Sequence, residues 1–342
     1  MGFSLTAPHT PRGTPIHFSG EQLERFVRVL TGEKVVMAKL HEDFSSGLGA
    51  HWKRYVVGNG SLELTGSTLR LVNTDTSSHR YTDAQIDDYQ GLPRRRFLWR
   101  PPLTLTVRAR FSHPSGDGST GLTTGLRGTA GFGFWNDPFM MTGSRLPTLP
   151  RAIWFFYASS PSRMKLDLHA PGHGWKAATI DALRPAALLL APLAPLAMLL
   201  MNLRPLYRTL WPPIQRALNV REAVVGDPAC GEPFGFAQDK PGRIMTEWHT
   251  YAIEWGVERA RFSVNGEPVL EDAPSPRGPL GFVMWLDNQY AIVTPWGRLG
   301  WGLLDTPGRQ WMEVDCLTIE PGLRRPRRGL CSLGPELETP SE

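Results

Sequence analysis

The clearest pattern in the chain is a two-residue alternation that begins at Trp248. In Trp248-His-Thr-Tyr-Ala-Ile-Glu-Trp255 it sets Trp248, Thr250, Ala252 and Glu254 on one face and His249, Tyr251, Ile253 and Trp255 on the other. Ala260, Phe262 and Val264 then alternate with Arg261 and Ser263, and Asn265-Gly266 supplies the two positive-φ residues that a type I′ hairpin turn requires. The pattern predicts a three-stranded antiparallel meander. The same alternation runs through residues 103–111, where Leu103, Leu105, Val107 and Ala109 alternate with Thr104, Thr106, Arg108 and Arg110. Shorter runs bounded by Gly, Asn, Ser or Pro predict strands at 52–57, 61–64, 68–72, 131–137, 151–157, 164–169, 280–290 and 311–319. Many short alternating strands predict an antiparallel β-sandwich over residues 41–320.

Three stretches depart from this pattern. Residues 1–40 read as an extension: the first 20 or so are rich in Pro, Gly, Thr and His and read as disordered, and a short helix follows, with Leu23, Phe26, Val27 and Leu30 at helical spacing. Met37 offers a second start for the chain. Residues 181–243 interrupt the sandwich. Their 16-residue apolar run, Ala186 to Met201, contains Pro192 and Pro195 and is followed by Arg204, Arg208 and Arg216 among apolar residues. A transmembrane helix needs roughly 20 apolar residues without such breaks. Three arrangements fit: a helical insertion packed on the sandwich, a hairpin lying in a membrane interface through residues 186–218, and a true span. Within the rest of the insertion, Pro233 to Pro241 looks like a translated repeat element and is given no function. Residues 321–342 read as a disordered basic tail.

Composition adds limits rather than a mechanism. Of 342 residues, 41% are hydrophobic and 20% charged, which is ordinary for a globular protein and enough for a full core. Twelve Trp with 35 Gly and 31 Pro favour strands and turns over a helical bundle. The net charge is +5, and four of the cations, Arg324, Arg325, Arg327 and Arg328, sit in the tail, so no nucleic-acid partner is expected. Cys230, Cys316 and Cys331 have no metal-ligand spacing, and an odd count implies no disulfide framework. The first residues show neither a basic nor an apolar leader segment, so a cytoplasmic location is the expectation, with peripheral membrane contact as the variant.

The unit from Trp248 to Gly266, the opening His41-Glu-Asp-Phe-Ser-Ser-Gly47 and the closing Met312-Glu-Val-Asp-Cys-Leu-Thr-Ile319 together resemble concanavalin A-like lectin/glucanase jelly rolls, in particular family 16 glycoside hydrolases. The resemblance implies an all-β concanavalin A-like jelly-roll sandwich and a polysaccharide or oligosaccharide ligand. In that family one strand carries Glu-x-Asp-x-(x)-Glu, whose alternation aims the carboxylates into one cleft. By order along the chain that strand is Arg151-Ala-Ile-Trp-Phe-Phe-Tyr157, which holds no carboxylate. The familiar retaining machinery is therefore missing from its expected place.

Other residues suit a sugar. Trp135-Asn-Asp137 and Trp285-Leu-Asp287 each join an indole to a carboxylate, with Gln289 expected on the face of Trp285 and Asp287, and Trp154 on the neighbouring strand. The opposing possibility is that these indoles are core and the aspartates end strands in turns. His169, sharing a strand face with Asp167, is a further candidate for a sugar or a metal. The favoured reading is a carbohydrate-binding, lectin-like protein. The alternative is a glycoside hydrolase or lyase using Asp137 and Asp287 as its catalytic pair, which requires their carboxyl groups to lie roughly 5–10 Å apart. A third reading is a structural protein recruited to a membrane or partner by its apolar insertion. By the same resemblance, Glu42 and Asp315 are the expected ligands of a structural Ca²⁺.

Overall fold

The computed structural model describes residues 39–115, 125–138, 146–165, 170–225, 245–294 and 298–323. The strands of the first third are β1 (Leu40–Glu42), β2 (Lys53–Val57), β3 (Gly60–Leu64), β4 (Leu69–Thr76) and β5 (Asp83–Asp87). β6 (Leu103–Phe111), β7 (Thr129–Trp135), β8 (Arg151–Ala158), the two-residue β9 (Arg163–Met164) and β10 (Gly174–Asp181) follow. Three helices come next: α1 (Pro185–Leu190), α2 (Ala194–Met201) and α3 (Arg204–Ala217). β11 (Arg221–Val224), β12 (His249–Trp255), β13 (Arg259–Val264) and β14 (Glu267–Pro274) resume the strands. β15 (Gly281–Asp287), β16 (Gln289–Val293), β17 (Leu299–Leu303) and β18 (Thr306–Pro321) complete them.

Two large antiparallel sheets make the β-sandwich that the alternation predicts. The first runs β14-β13-β12-β6-β18-β4-β3, with β1 also paired to β18; the second runs β11-β10-β8-β7-β15-β5-β2. A small third sheet joins β17, β16 and β9, the last pair parallel. The expected meander is β12-β13-β14, and Asn265 and Gly266 both take positive φ at its turn. His249, Tyr251, Ile253 and Trp255 face inward as the alternation requires. So do Leu103, Leu105, Val107 and Ala109 of β6.

The core lies between the sheets. Phe132 and Phe155 pack on Tyr251, Phe155 on Phe262, and Phe134 on Trp255, with ring centroids 5.1 to 5.4 Å apart. Each fully buried Phe contributes on the order of 2 kcal/mol by leaving water. Outside the first sheet, Arg70 and Arg110 flank Trp311 and share the carboxylate of Glu313, while Arg108 and Arg110 lie over Trp248. Polar positions of β4, β6 and β18 thus form their own layer.

The segment 181–243 is in part sheet. β11 pairs with β10, and its Glu222 meets the ammonium of Lys176, which is buried and also donates to the carbonyls of Met164 and Pro171. The helical insertion proper is 185–217. It is tied to the sheet where Asp181 N–H donates to the Leu218 carbonyl and Arg184 to the Asn219 side chain. Among the described residues no helix is long and apolar enough to cross a membrane. Cys316, on β18, is disulfide-bonded, which the count of three cysteines did not foretell. The expected helix near residues 20–30, the repeat-like 233–241 and the tail from 324 lie outside the described residues.

Candidate functional site

The outer face of the second sheet, turned away from the core, carries the candidate chemistry. On β5, Ala84 and Ile86 turn into the core, so Asp83, Gln85 and Asp87 form a row on the outer face. β15 lies alongside, with Asp287 opposite Asp83, Trp285 opposite Gln85 and Val283 opposite Asp87. β7 flanks β15 on its other side: Thr129 faces Asp287, Gly131 faces Trp285 and Trp135 faces Gly281. β8 follows, with Phe156 opposite Gly131 and Trp154 opposite Gly133.

Four aromatic rings therefore gather on this face. Trp135 and Trp285 are parallel within 6°, 6.4 Å between centroids; Trp154 lies 5.5 Å from Trp285 and 5.6 Å from Phe156. Trp285 can lie over β7 because residue 131 is glycine: a β-carbon there would stand 2.7 Å from the indole ring. The indole N–H of Trp285 donates to Thr129 Oγ1 at 2.9 Å, and that of Trp135 to the Tyr89 hydroxyl at 2.8 Å. Both rings are thus held internally and covered, 8% and 7% exposed. Leu92, Met164 and Ile180 pack against the cluster, and Trp154 is the half-buried ring that the surface still offers.

The carboxylates beside this cluster are buried. Asp287 Oδ1 accepts from Thr129 N and Oγ1 and from Gln289 N, yet burial outweighs these bonds and pushes its carboxyl up to about 6. Burial, with the charge of Asp287 next, raises Asp83 well above the usual carboxylate range. The Tyr81 hydroxyl donates to Asp83 Oδ2 at 2.8 Å, while Oδ1 has no hydrogen-bond partner. Directly opposed residues on antiparallel strands have Cα atoms about 5 Å apart, too close for two buried charges. Both effects favour the neutral form of one member of the pair over two buried charges. Burial also raises Asp87, against hydrogen bonds from Gln90 and Gln85.

The expected residues do not all meet. Trp135, Trp154 and Trp285 do. Asp137 and Asp287 do not face one another: Asp287 is opposite Thr129, Trp135 is six positions further along β7, and Asp137 lies two residues beyond Trp135. At about 3.4 Å per residue this puts roughly 20 Å of strand between them, outside the range for a catalytic pair. Asp137 is fully buried at positive φ, its carbonyl taking the Arg94 guanidinium at 2.6 Å. Gln289 leaves the face of Trp285 because Asn288 breaks the strand. Its buried side chain accepts from Thr82 N and donates to the carbonyls of Ser77, Arg80 and Leu304, which sends Gln289 into β16. His169 lies outside the described residues. Asp83, Gln85, Asp87 and Phe156 join the site without having been singled out. The Asp83-Ala-Gln-Ile-Asp87 alternation was the available signal.

The calcium expectation fails a test of fit. Glu42 Oε1 accepts from Phe44 N, and Oε2 from Gly49 N and the Trp52 indole at 3.0 Å, so N–H donors occupy both oxygens. Asp315 is paired with Arg108 at 2.6 Å. Among the described residues no group of three or more His, Cys, Asp or Glu side chains is placed to hold a metal ion.

The chain is similar, at low identity, to solved structures of glycan-acting enzymes. An endo-β-galactosidase from Clostridium perfringens that releases GlcNAcα1-4Gal is 13% identical, covering 86% of this chain and 65% of its own, with a TM-score of 0.47. The endo-β-1,3-glucanase of Pyrococcus furiosus is 11% identical, covering 82% and 93%, at 0.42. The Bacillus licheniformis β-glucanase is 10% identical, covering 83% and 99%, at 0.40. No family model matches the chain, and no curated protein does.

Proposed function

We propose that the protein binds a polysaccharide or oligosaccharide on the outer face of its second sheet and does not hydrolyse it by the usual double displacement. The observation that carries this reading is the aromatic cluster, with half-buried Trp154 packed against Trp285 and Phe156. A sugar's C–H face stacks on such a ring, and polar neighbours hold its hydroxyls. β8, where the resemblance would put the nucleophile and the acid/base, presents Trp154 and Phe156 on this face instead of carboxylates. The expected result is a saturable isotherm with laminarin or mixed-linkage β-glucan oligosaccharides in calorimetry, weakened by about 1–3 kcal/mol in Trp154→Ala. Glycan binding unchanged by Trp154→Ala sinks this site.

A second reading, an active hydrolase, draws on Asp287, whose carboxyl is pushed up to about 6 and is protonated in part at neutral pH. Reducing-sugar release by the wild type that vanishes in Asp287→Asn would install it.

A further inference from the structure

The apolar insertion and a set of arginines from a distant part of the chain meet at one end of the sandwich. The insertion leaves from the end of β10, where Asp181 takes Arg151 of β8 and Arg277 of the 275–279 loop. At the same end Arg94 donates to the carbonyls of Asn136 and Asp137, just past β7. Trp99 pairs with Leu280, which brings Arg100 beside Gly278. Exposed Arg95, Arg96 and Arg100 thus border the root of the insertion, whose own residues 182–220 hold four arginines and no acid. Asp88, Asp137 and Asp181 at this end are buried. Exposed Glu258 also lies near this end, its backbone carbonyl accepting from the Ser275 N–H.

The helices leave apolar surface uncovered. Leu189 and Leu199 are 79% and 69% exposed, and Leu193, Leu196 and Leu203 are each more than half exposed. On the β7–β8 connection, which meets the insertion where Ala182 N donates to the Pro150 carbonyl, Leu146 is 82% exposed. Pro192 and Pro195 keep the run in short pieces, and none of the described helices is long enough to span.

We propose that this end of the molecule docks on an anionic lipid surface. The leucines of α1 and α2 enter the headgroup–acyl boundary, and the arginine belt, Arg95, Arg96 and Arg100 with Arg184, Arg208 and Arg216, engages lipid phosphates. Charge selects this occupant: a second copy of the chain would bring the same cations against themselves. The docking also places the aromatic face of the second sheet side-on to the membrane, because the insertion continues the strands of that sheet.

The full chain is tested by co-sedimentation with phosphatidylcholine vesicles and with phosphatidylcholine–phosphatidylserine vesicles. Binding is expected to the anionic vesicles, falling as salt rises. Arg95→Glu/Arg96→Glu should weaken it by at least about fivefold per arginine neutralised. Leu189→Ser/Leu193→Ser/Leu199→Ser should abolish it while circular dichroism and the melting transition stay those of the wild type. If that variant unfolds, the Arg95→Glu/Arg96→Glu pair, whose side chains are exposed, decides the matter. Equal binding to both vesicle types, or no binding to either, overturns the proposal. So does an oligomer that the leucine variant dissociates, which would assign the patch to self-association.

Discussion

Single carboxyl groups in this protein differ by what surrounds them, and each surrounding sets a pH dependence. Asp83 is raised by burial and then by the charge of Asp287, and Asp287 is raised by burial. For a carboxyl whose folded pKa lies above its unfolded value, the stability present below the unfolded value is lost as pH rises through the folded one. Stability should therefore decline as pH rises from about 4 through about 6 on account of Asp287, and further as it rises through the higher range in which Asp83 ionises. Asp83→Asn, which keeps an oxygen for Tyr81, should stabilise the protein at pH 8 by on the order of 2 kcal/mol and leave it unchanged at pH 4, read by urea denaturation at both values. Equal effects at the two pH values would refute the raised Asp83 carboxyl. Asp181 works the other way. Burial acts to raise it, but the Arg277 hydrogen bond and the Arg151 charge prevail and hold it below the usual range. Its contribution is present above the unfolded pKa and disappears as pH falls through the folded one. Arg151→Ala should accordingly cost stability at pH 7 and little at pH 2.

At the scale of elements, the segment between β10 and the meander divides into a helical part and a strand, and the two should respond differently to removal. Replacing residues 185–217 with a short Gly-Ser linker cuts no strand and is expected to leave a single cooperative unfolding transition with improved solubility. Extending the deletion through β11 removes Glu222 and strips the buried Lys176 ammonium of its only anionic partner among the described residues. Breaking a buried pair from one side costs about 3–5 kcal/mol. Thermal scans of the two deletions test this division. A broad, non-cooperative melt of the shorter deletion would show that the helices belong to the core. Lys176→Met in the longer deletion should recover part of the loss, since it removes the stranded charge.

For the whole molecule, β1 and β18 bring the start of the described residues next to the end through backbone pairing and the hydrogen bond of His41 with Thr318. A cation is not needed for that closure: Glu42 and Asp315, the two groups it would bridge, already hold N–H donors and a guanidinium. Added Ca²⁺ is expected to leave the melting temperature of chelator-treated protein unchanged. A rise of several degrees that Glu42→Gln eliminates would show that the carboxylate exchanges its donors for the metal.

Where local periodicity and side-chain chemistry decide structure, the chain could be read without its fold. The alternation from His249 to Trp255 and from Leu103 to Ala109 named the inward faces, and Asn265-Gly266 named the turn, because strand period and positive φ are properties of consecutive residues. The missing carboxylates of residues 151–157 were equally plain. No strand is predicted over β5, whose alternation is short and sets only Ala84 and Ile86 against Asp83, Gln85 and Asp87; their burial in the core is what fixes its faces. Asn288 shows the same limit from the other side. Nothing in Leu280-Gly-Phe-Val-Met-Trp-Leu-Asp-Asn-Gln-Tyr290 marks a break, yet hydrogen bonds to residues 77, 80, 82 and 304 end β15 there and carry Gln289 away from Trp285. Which aspartates lie opposite one another, which indoles stack and at which end of the sandwich the arginines of 94–100 lie all depend on pairings between residues far apart in the chain. Those pairings are set by strand register across the sheets, a property that alternation within a single strand does not contain.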